Sequence, residues 1–242
     1  MFKFFSAGIF ILLIAGCGAP RPRQSVSQCK DDSPSRLEMA LPGRAYRIDA
    51  SQSELRVLVY RAGPMASFGH NHVLLHRDLC GAVRLRDQTS ASAFWLKIPA
   101  GGFVVDDAQA RREEGPDFGA EVSDGAKSGT QENMLGAAVL NAVEFPAIVV
   151  HGGAVVGAQR APSGGTPDAA TLIATVAVSV AGHETKIDVP LTLQVDSSRV
   201  SASGTLVVRQ STLGLTPYSL MLGALQVQDG ITIKFKIVGR PI

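Results

Sequence analysis

The sequence predicts an all-β protein, a barrel or sandwich of antiparallel strands. Three observations point that way. Apolar and polar residues alternate with a period of two in many short runs, the periodicity of a half-buried strand. An Asp-Gly pair sits between two such runs, and only one stretch of the 242-residue chain shows helical spacing.

Taken in order, residues 53–61 (SELRVLVYR) set Leu55, Val57 and Val59 against Glu54, Arg56 and Tyr60. Residues 81–86 (GAVRLR) alternate in the same way, and residues 92–99 (SAFWLKIP) and 146–151 (PAIVVH) are short runs rich in strand formers. Residues 171–180 place Leu172, Ala174, Val176, Val178 and Val180 on one face. Residues 186–195 do the same with Ile187, Val189, Leu191, Leu193 and Val195. Pro190 has no N–H to give a ladder, so an edge, bulge or bend is expected there. The SGGTP segment before Thr171 and AGHET after Val180 read as turns. At the C-terminus, Asp229-Gly230 predicts a hairpin whose second arm faces Ile231, Ile233, Phe235 and Ile237 one way.

The exception lies between Val105 and Thr130, a long charged, Gly-containing segment read as a lid or flank over one end of the sheet. Thr130 is a plausible N-cap for a helix carrying Met134, Leu135, Ala138, Val139 and Ala142, closed by Phe145-Pro146. A closed barrel of about eight strands has room for packed side chains or one small ligand. The expectation is therefore a barrel with one short helix and a long loop.

The first residues, MFKFFSAGIFILLIAGC, combine Lys3, an apolar run and small residues, the pattern of an export signal too short to span a membrane stably. Ile14-Ala15-Gly16-Cys17 resembles the bacterial lipobox, which implies cleavage before Cys17 and acylation of its thiol. Two acyl chains anchor stably where one does not, at about 0.8 kcal/mol per buried methylene. Gly18 rather than Asp after the cysteine resembles lipoproteins sorted to the outer membrane. The expected organisation is a signal peptide over residues 1–16, a lipidated tether over 17–41 and a folded domain over 42–242. The tether's APRPRQ and DDSPSR lack apolar periodicity.

A net charge of +2, which includes Lys3 of the signal, leaves no basic run to suggest nucleic acid. Of the three cysteines, Cys29 and Cys80 remain after lipidation of Cys17. In an oxidising envelope they can pair, or stand as two independent thiols.

Residues 67–76, SFGHNHVLLH, hold three of the five histidines. On a strand His70 and His72 share a face. Three readings stand: structural or mouth-lining imidazoles, contacts to a ligand headgroup, or a zinc or copper site. A metal would need a third ligand, for which His151, His183 and His76 are candidates. Cupins also use His-x-His, but the Glu and the second motif are missing. Arg209 and Tyr218 are further candidates for a ligand's polar head, Arg209 being an outward arginine otherwise. Arg111-Arg112 followed by Glu113-Glu114 reads as a solvated loop, and Trp95 as core. No GxSxG, CxxC, Walker or HExxH pattern is present, which argues against hydrolases of those types.

Several motifs follow one another in a familiar order. They are Tyr46-Arg47-Ile48-Asp49 before Ser53, Gly69-His70-Asn71-His72, Asn133-Met134-Leu135 through Phe145-Pro146, and Pro190-Leu191-Thr192-Leu193. Val208-Arg209 before Leu213-Gly214-Leu215 and the terminal hairpin complete the set. Together they resemble the YceI-like family of exported bacterial proteins, from about Tyr46 to Arg240. The resemblance implies an extended, lipocalin-like antiparallel barrel whose interior takes a long polyisoprenoid chain, with no catalytic residues.

The expected function is therefore an envelope lipoprotein, outer-membrane anchored and facing the periplasm, that binds an isoprenoid or other long-chain amphiphile. Two alternatives are a metal-binding or metal-dependent protein centred on His70 and His72, and a structural lipoprotein with a filled barrel.

Overall fold

The computed structural model describes residues 43–86, 92–159 and 170–242, with backbone alone for 153–159 and 170–171. The export signal, Cys17, Cys29, the tether and the SGGTP turn lie outside the described residues.

The chain forms a closed antiparallel barrel of eight strands in simple up-and-down order. Three of the eight are bent and divide in two. The first comprises β1 (Arg44–Ile48) and β2 (Glu54–Val59), the second β4 (His72–His76) and β5 (Cys80–Leu85), the third β6 (Ala93–Pro99) and β7 (Val104–Val105). The other five are β8 (Ala147–Gln159), β9 (Ala170–Val180), β10 (His183–Val195), β11 (Val200–Arg209) and β14 (Gly230–Pro241). Closure comes from β14, which pairs with β11 on one side and with both β1 and β2 on the other. The bend between β1 and β2 is a 3-10 turn, Ala50–Gln52, capped by Asp49, whose carboxylate accepts from Ser51. The Ser53 hydroxyl then receives the Val238 N–H at 3.0 Å and restores the ladder. With 13 residues in β8 and in β10, the long strands reach roughly 40 Å at about 3.3 Å per residue.

The alternation read from the sequence is the alternation of the wall. Leu172, Ala174, Val176, Val178 and Val180 face inward, as do Ile187, Val189, Leu191 and Leu193, and Ile231, Ile233, Phe235 and Ile237. The β9–β10 turn is as expected: Ala181 and Gly182 both have positive φ (47° and 79°), the two-residue turn that suits the strand twist. β4 is apolar on both faces for a structural reason. Leu74 faces the interior, while Val73 and Leu75 pack outside with Leu58, Ala110 and Phe118.

Two elements differ from expectation. The helical region holds α1 (Ala108–Glu113) and α2 (Asp124–Leu135) rather than one helix starting at Thr130. Asp107 caps α1 through Gln109 N and Ala110 N, and Ser123 caps α2 through Ala126 N. Gly136 ends α2 by donating to Glu132 O, so Thr130 is mid-helix. Val139, Leu140 and Ala142 still pack on the core, but from turns. The second difference is at Asp229-Gly230. The preceding strand, β13 (Leu225–Val227), pairs with β3 (Arg61–Ala62) and β12 (Ser219–Leu220) in a small separate sheet, not with β14. Asp229 instead takes the Ser211 N–H and hydroxyl at 2.8 and 2.6 Å and fastens the β11–β14 connection.

Candidate functional site

The inward faces do not fill the barrel. They surround a cavity of about 330 Å³, within the size range of small-molecule sites. Its wall runs from Val83 and Leu193 near the start of β1 to Leu213 and Leu215 under the helical end. Buried Phe103, Met134, Leu140, Leu213 and Leu215 plug that helical end. Nearly all the wall is aliphatic or aromatic, and no charged side chain lines it among the described residues. Two polar side chains, Ser92 and Gln210, do reach it, and both are tied into the wall. Ser92 accepts from Arg86 N at 3.0 Å, and Gln210 donates to Gln228 O at 2.8 Å. Trp95, expected in the core, is half-buried at the cavity wall. Such a space binds by removing apolar surface from water, at about 25 cal/mol per Å².

The histidines serve a different structure. His72 Nδ1 lies 2.6 Å from Asp106 Oδ2, and Thr130 Oγ1 lies 3.4 Å from Nε2. Asp106 is fully buried and also takes Val73 N at 2.9 Å and Arg111 Nη1 at 2.6 Å. Burial pushes the Asp106 carboxyl up, but the hydrogen bonds from His72 and Val73, with Arg111 beside it, outweigh this and hold it below its ordinary value. Asp106 is thus an ionised acceptor, and His72 donates from Nδ1. Its backbone φ of 55° is one that Asp tolerates better than most residues. Arg111 continues inward to Asn71 O and Ala120 O at 2.7 and 2.8 Å. The Asn71 side chain accepts from Arg61 N and donates to Asp117 O. GHNH is therefore a clamp that fastens α1 and α2 to the barrel.

This geometry corrects several expectations. Arg111 is buried and paired, not part of a solvated loop. His70 stands beside His72, ring centroids 6.1 Å apart, but His151 lies on the outer face of β8, 3.6 Å from Glu184. His183 is exposed at the start of β10. Buried His76 binds Pro99 O through Nε2 at 2.8 Å, and its Nδ1 has no partner among the described residues. The histidines do not converge, and among the described residues no three His, Cys, Asp or Glu form a metal-holding group. Neither Arg209 nor Tyr218 lines the cavity: Arg209 is exposed on the outer face of β11, and Tyr218 is half-buried with its carbonyl accepting from Val227 N. Cys80 is disulfide-bonded, and its partner lies outside the described residues.

The sequence does not single out Asp106 or Gln210, and it marks Thr130 only as a helix N-cap. Asp106 had one legible sign, its place beside the N-cap Asp107, where the strand pattern ends.

No protein-family model and no curated protein matches the chain. Solved structures do. One is a polyisoprenoid binding domain from Saccharophagus degradans implicated in plant cell wall breakdown (TM-score 0.53, 13% identity, 82% of this chain and 99% of that one). Another is BcnA of Burkholderia cenocepacia (TM-score 0.51, 14% identity, 79% and 98%). The chain thus shares the barrel fold of these two proteins, the fold that its resemblance to the YceI-like family implied.

Proposed function

We propose that this protein is a non-enzymatic carrier or store for an amphiphile whose long apolar chain, an isoprenoid by analogy with the Saccharophagus domain, lies inside the barrel. The observation that carries this reading is the cavity wall, apolar along the barrel and free of charge among the described residues. A filled barrel would leave no such space, and a hydrolytic site would need polar groups aimed into it. The chain's affinity would come from apolar burial.

The export signal read from the sequence supports a place for this carrier in the bacterial envelope. The Cys17 lipobox supports an acyl anchor, and Gly18 supports the outer membrane, with the barrel in the periplasm near the membrane that holds such ligands. An acylated Cys17 leaves Cys29 as the partner of Cys80, which would tie the tether to β5.

Solvent extraction and mass spectrometry of the full-length protein, purified from its own membranes, tests the reading. A stoichiometric long-chain isoprenoid is expected. Protein that yields no lipid and takes up none after extraction contradicts it.

A further inference from the structure

A long seam in the barrel wall runs between β10 and β11. β10 and β11 pair only from Thr192 to Val195 and from Val200 to Ser203. Beyond that point β10 stays paired with β9 as far as His183, and β11 with β14 as far as Arg209, but no ladder joins β10 to β11. The sequence supplies the cause. A Cβ on Gly204 would lie 2.4 Å from Pro190 O, so Pro190 turns its carbonyl towards β11. A residue's N–H and C=O point to the same side of a strand, so the ladder donor that proline lacks is the one β11 needs. The ring of Phe235, the β14 partner of Gly204, occupies the space beside that glycine. At the far end the seam closes again, where Gly214 packs against His183.

Ile187, Val189 and Leu191 of β10 and Leu206 of β11 flank this gap; all four line the cavity and are half-buried, as are Leu96, Ile148 and Val150 elsewhere on its wall. Alternation from Pro190 turns the backbone N–H and C=O of Lys186 and Asp188 towards the gap, and those of Thr205 and Val207 face them from β11. Extending the register past Thr192 and Ser203 sets Lys186 opposite Arg209, both exposed on the outer surface. The nearby carboxylates of Asp188 and Glu184 are engaged by the hydroxyls of Thr175 and Ser179.

We infer that this seam is a lateral window through which the chain of the amphiphile enters the cavity. An anionic head, a phosphate or diphosphate, stays at the rim between Lys186 and Arg209. The inference rests on the carrier reading above. It gives Arg209 a role on the outer rim that it does not have inside the cavity.

The test joins the two edges. The variant D188C/V207C is cross-linked by a short bifunctional maleimide, and uptake of a fluorescent prenyl phosphate is followed. Cross-linking before loading is expected to slow uptake by about tenfold or more, and cross-linking after loading to slow release likewise. Uptake at the uncross-linked rate overturns the window. The substitutions K186Q and R209Q are expected to weaken the prenyl phosphate and leave a prenyl alcohol unchanged; equal effects on both overturn the placement of the head. Hydrogen exchange checks the opening without ligand: amides of Lys186, Asp188, Thr205 and Val207 should exchange fast, and those of Ile187 and Val189 slowly. Uniform protection overturns the window. Fast exchange in a protein that takes up no probe would keep the opening and sink both the carrier reading and the uptake route.

Discussion

Asp106 shows how much one residue can hold. Its carboxylate is shared by His72, Val73 and Arg111, and Arg111 is itself buried. Removing the charge leaves a buried guanidinium unpaired. Asp106→Asn is expected to cost about 3–5 kcal/mol in urea denaturation and to expose α1 and α2 to protease. A loss below about 1 kcal/mol, the scale of an exposed pair, would contradict the clamp. His76 gives a pH effect. Burial pushes its imidazole below the ordinary 6.5, outweighing the Pro99 carbonyl and the nearby Asp78. Above 6.5 both folded and unfolded chains hold it neutral. As pH falls below that value the unfolded chain takes up the proton first, so stability is lost. The slope from this one group is at most about 1.4 kcal/mol per pH unit. Urea titrations across this range should show that slope reduced in His76→Leu; an unchanged slope would assign it elsewhere. Leu222 is fully exposed with φ 55°, a left-handed conformation that costs a bulky residue about 1–2 kcal/mol. Leu222→Gly should therefore raise the melting temperature, and a lower one would contradict this account of strain.

Strands were more legible than helices, and the reason is physical. A strand of this barrel meets the cavity on one face, so its period of two survives in sequence, as along Leu172 to Val180. The helical segment packs on a barrel end through both helix and turns. Its apolar spacing therefore continued from Met134 past Gly136 and blurred the true end of α2. Asp229-Gly230 carried a strong local hairpin signal, but β3 claimed the preceding strand from a distance of more than 160 residues in sequence. The histidine clamp was hidden for the same reason: His72 meets Asp106 and Thr130 across 34 and 58 residues. Pro190 was read as an edge, bulge or bend. The structure makes it the point where one interior strand becomes an edge towards β11, and only the pairing of the whole barrel shows which neighbour is lost.

For the whole molecule, the two groups of residues divide the work. Polar residues from the GHNH stretch and α1 secure the cap outside, which leaves the interior to apolar side chains. Ion pairs from Arg56 to Glu113 and Glu114 hold α1 to the outer face of β2 and belong to that cap. The central claim is that the interior is a binding space for a long apolar chain. Trp95, the single tryptophan, stands at the cavity wall and reports on it. The most direct measurement is a titration of delipidated protein with prenyl alcohols of increasing length, read by Trp95 emission. It is run beside Ala174→Phe, which places a ring in the cavity from a residue that is 2% exposed. The account predicts a saturable emission change whose affinity grows with chain length until the space is filled, and its loss in a folded Ala174→Phe protein. No saturable change in the native protein, or identical binding by the variant, would contradict it.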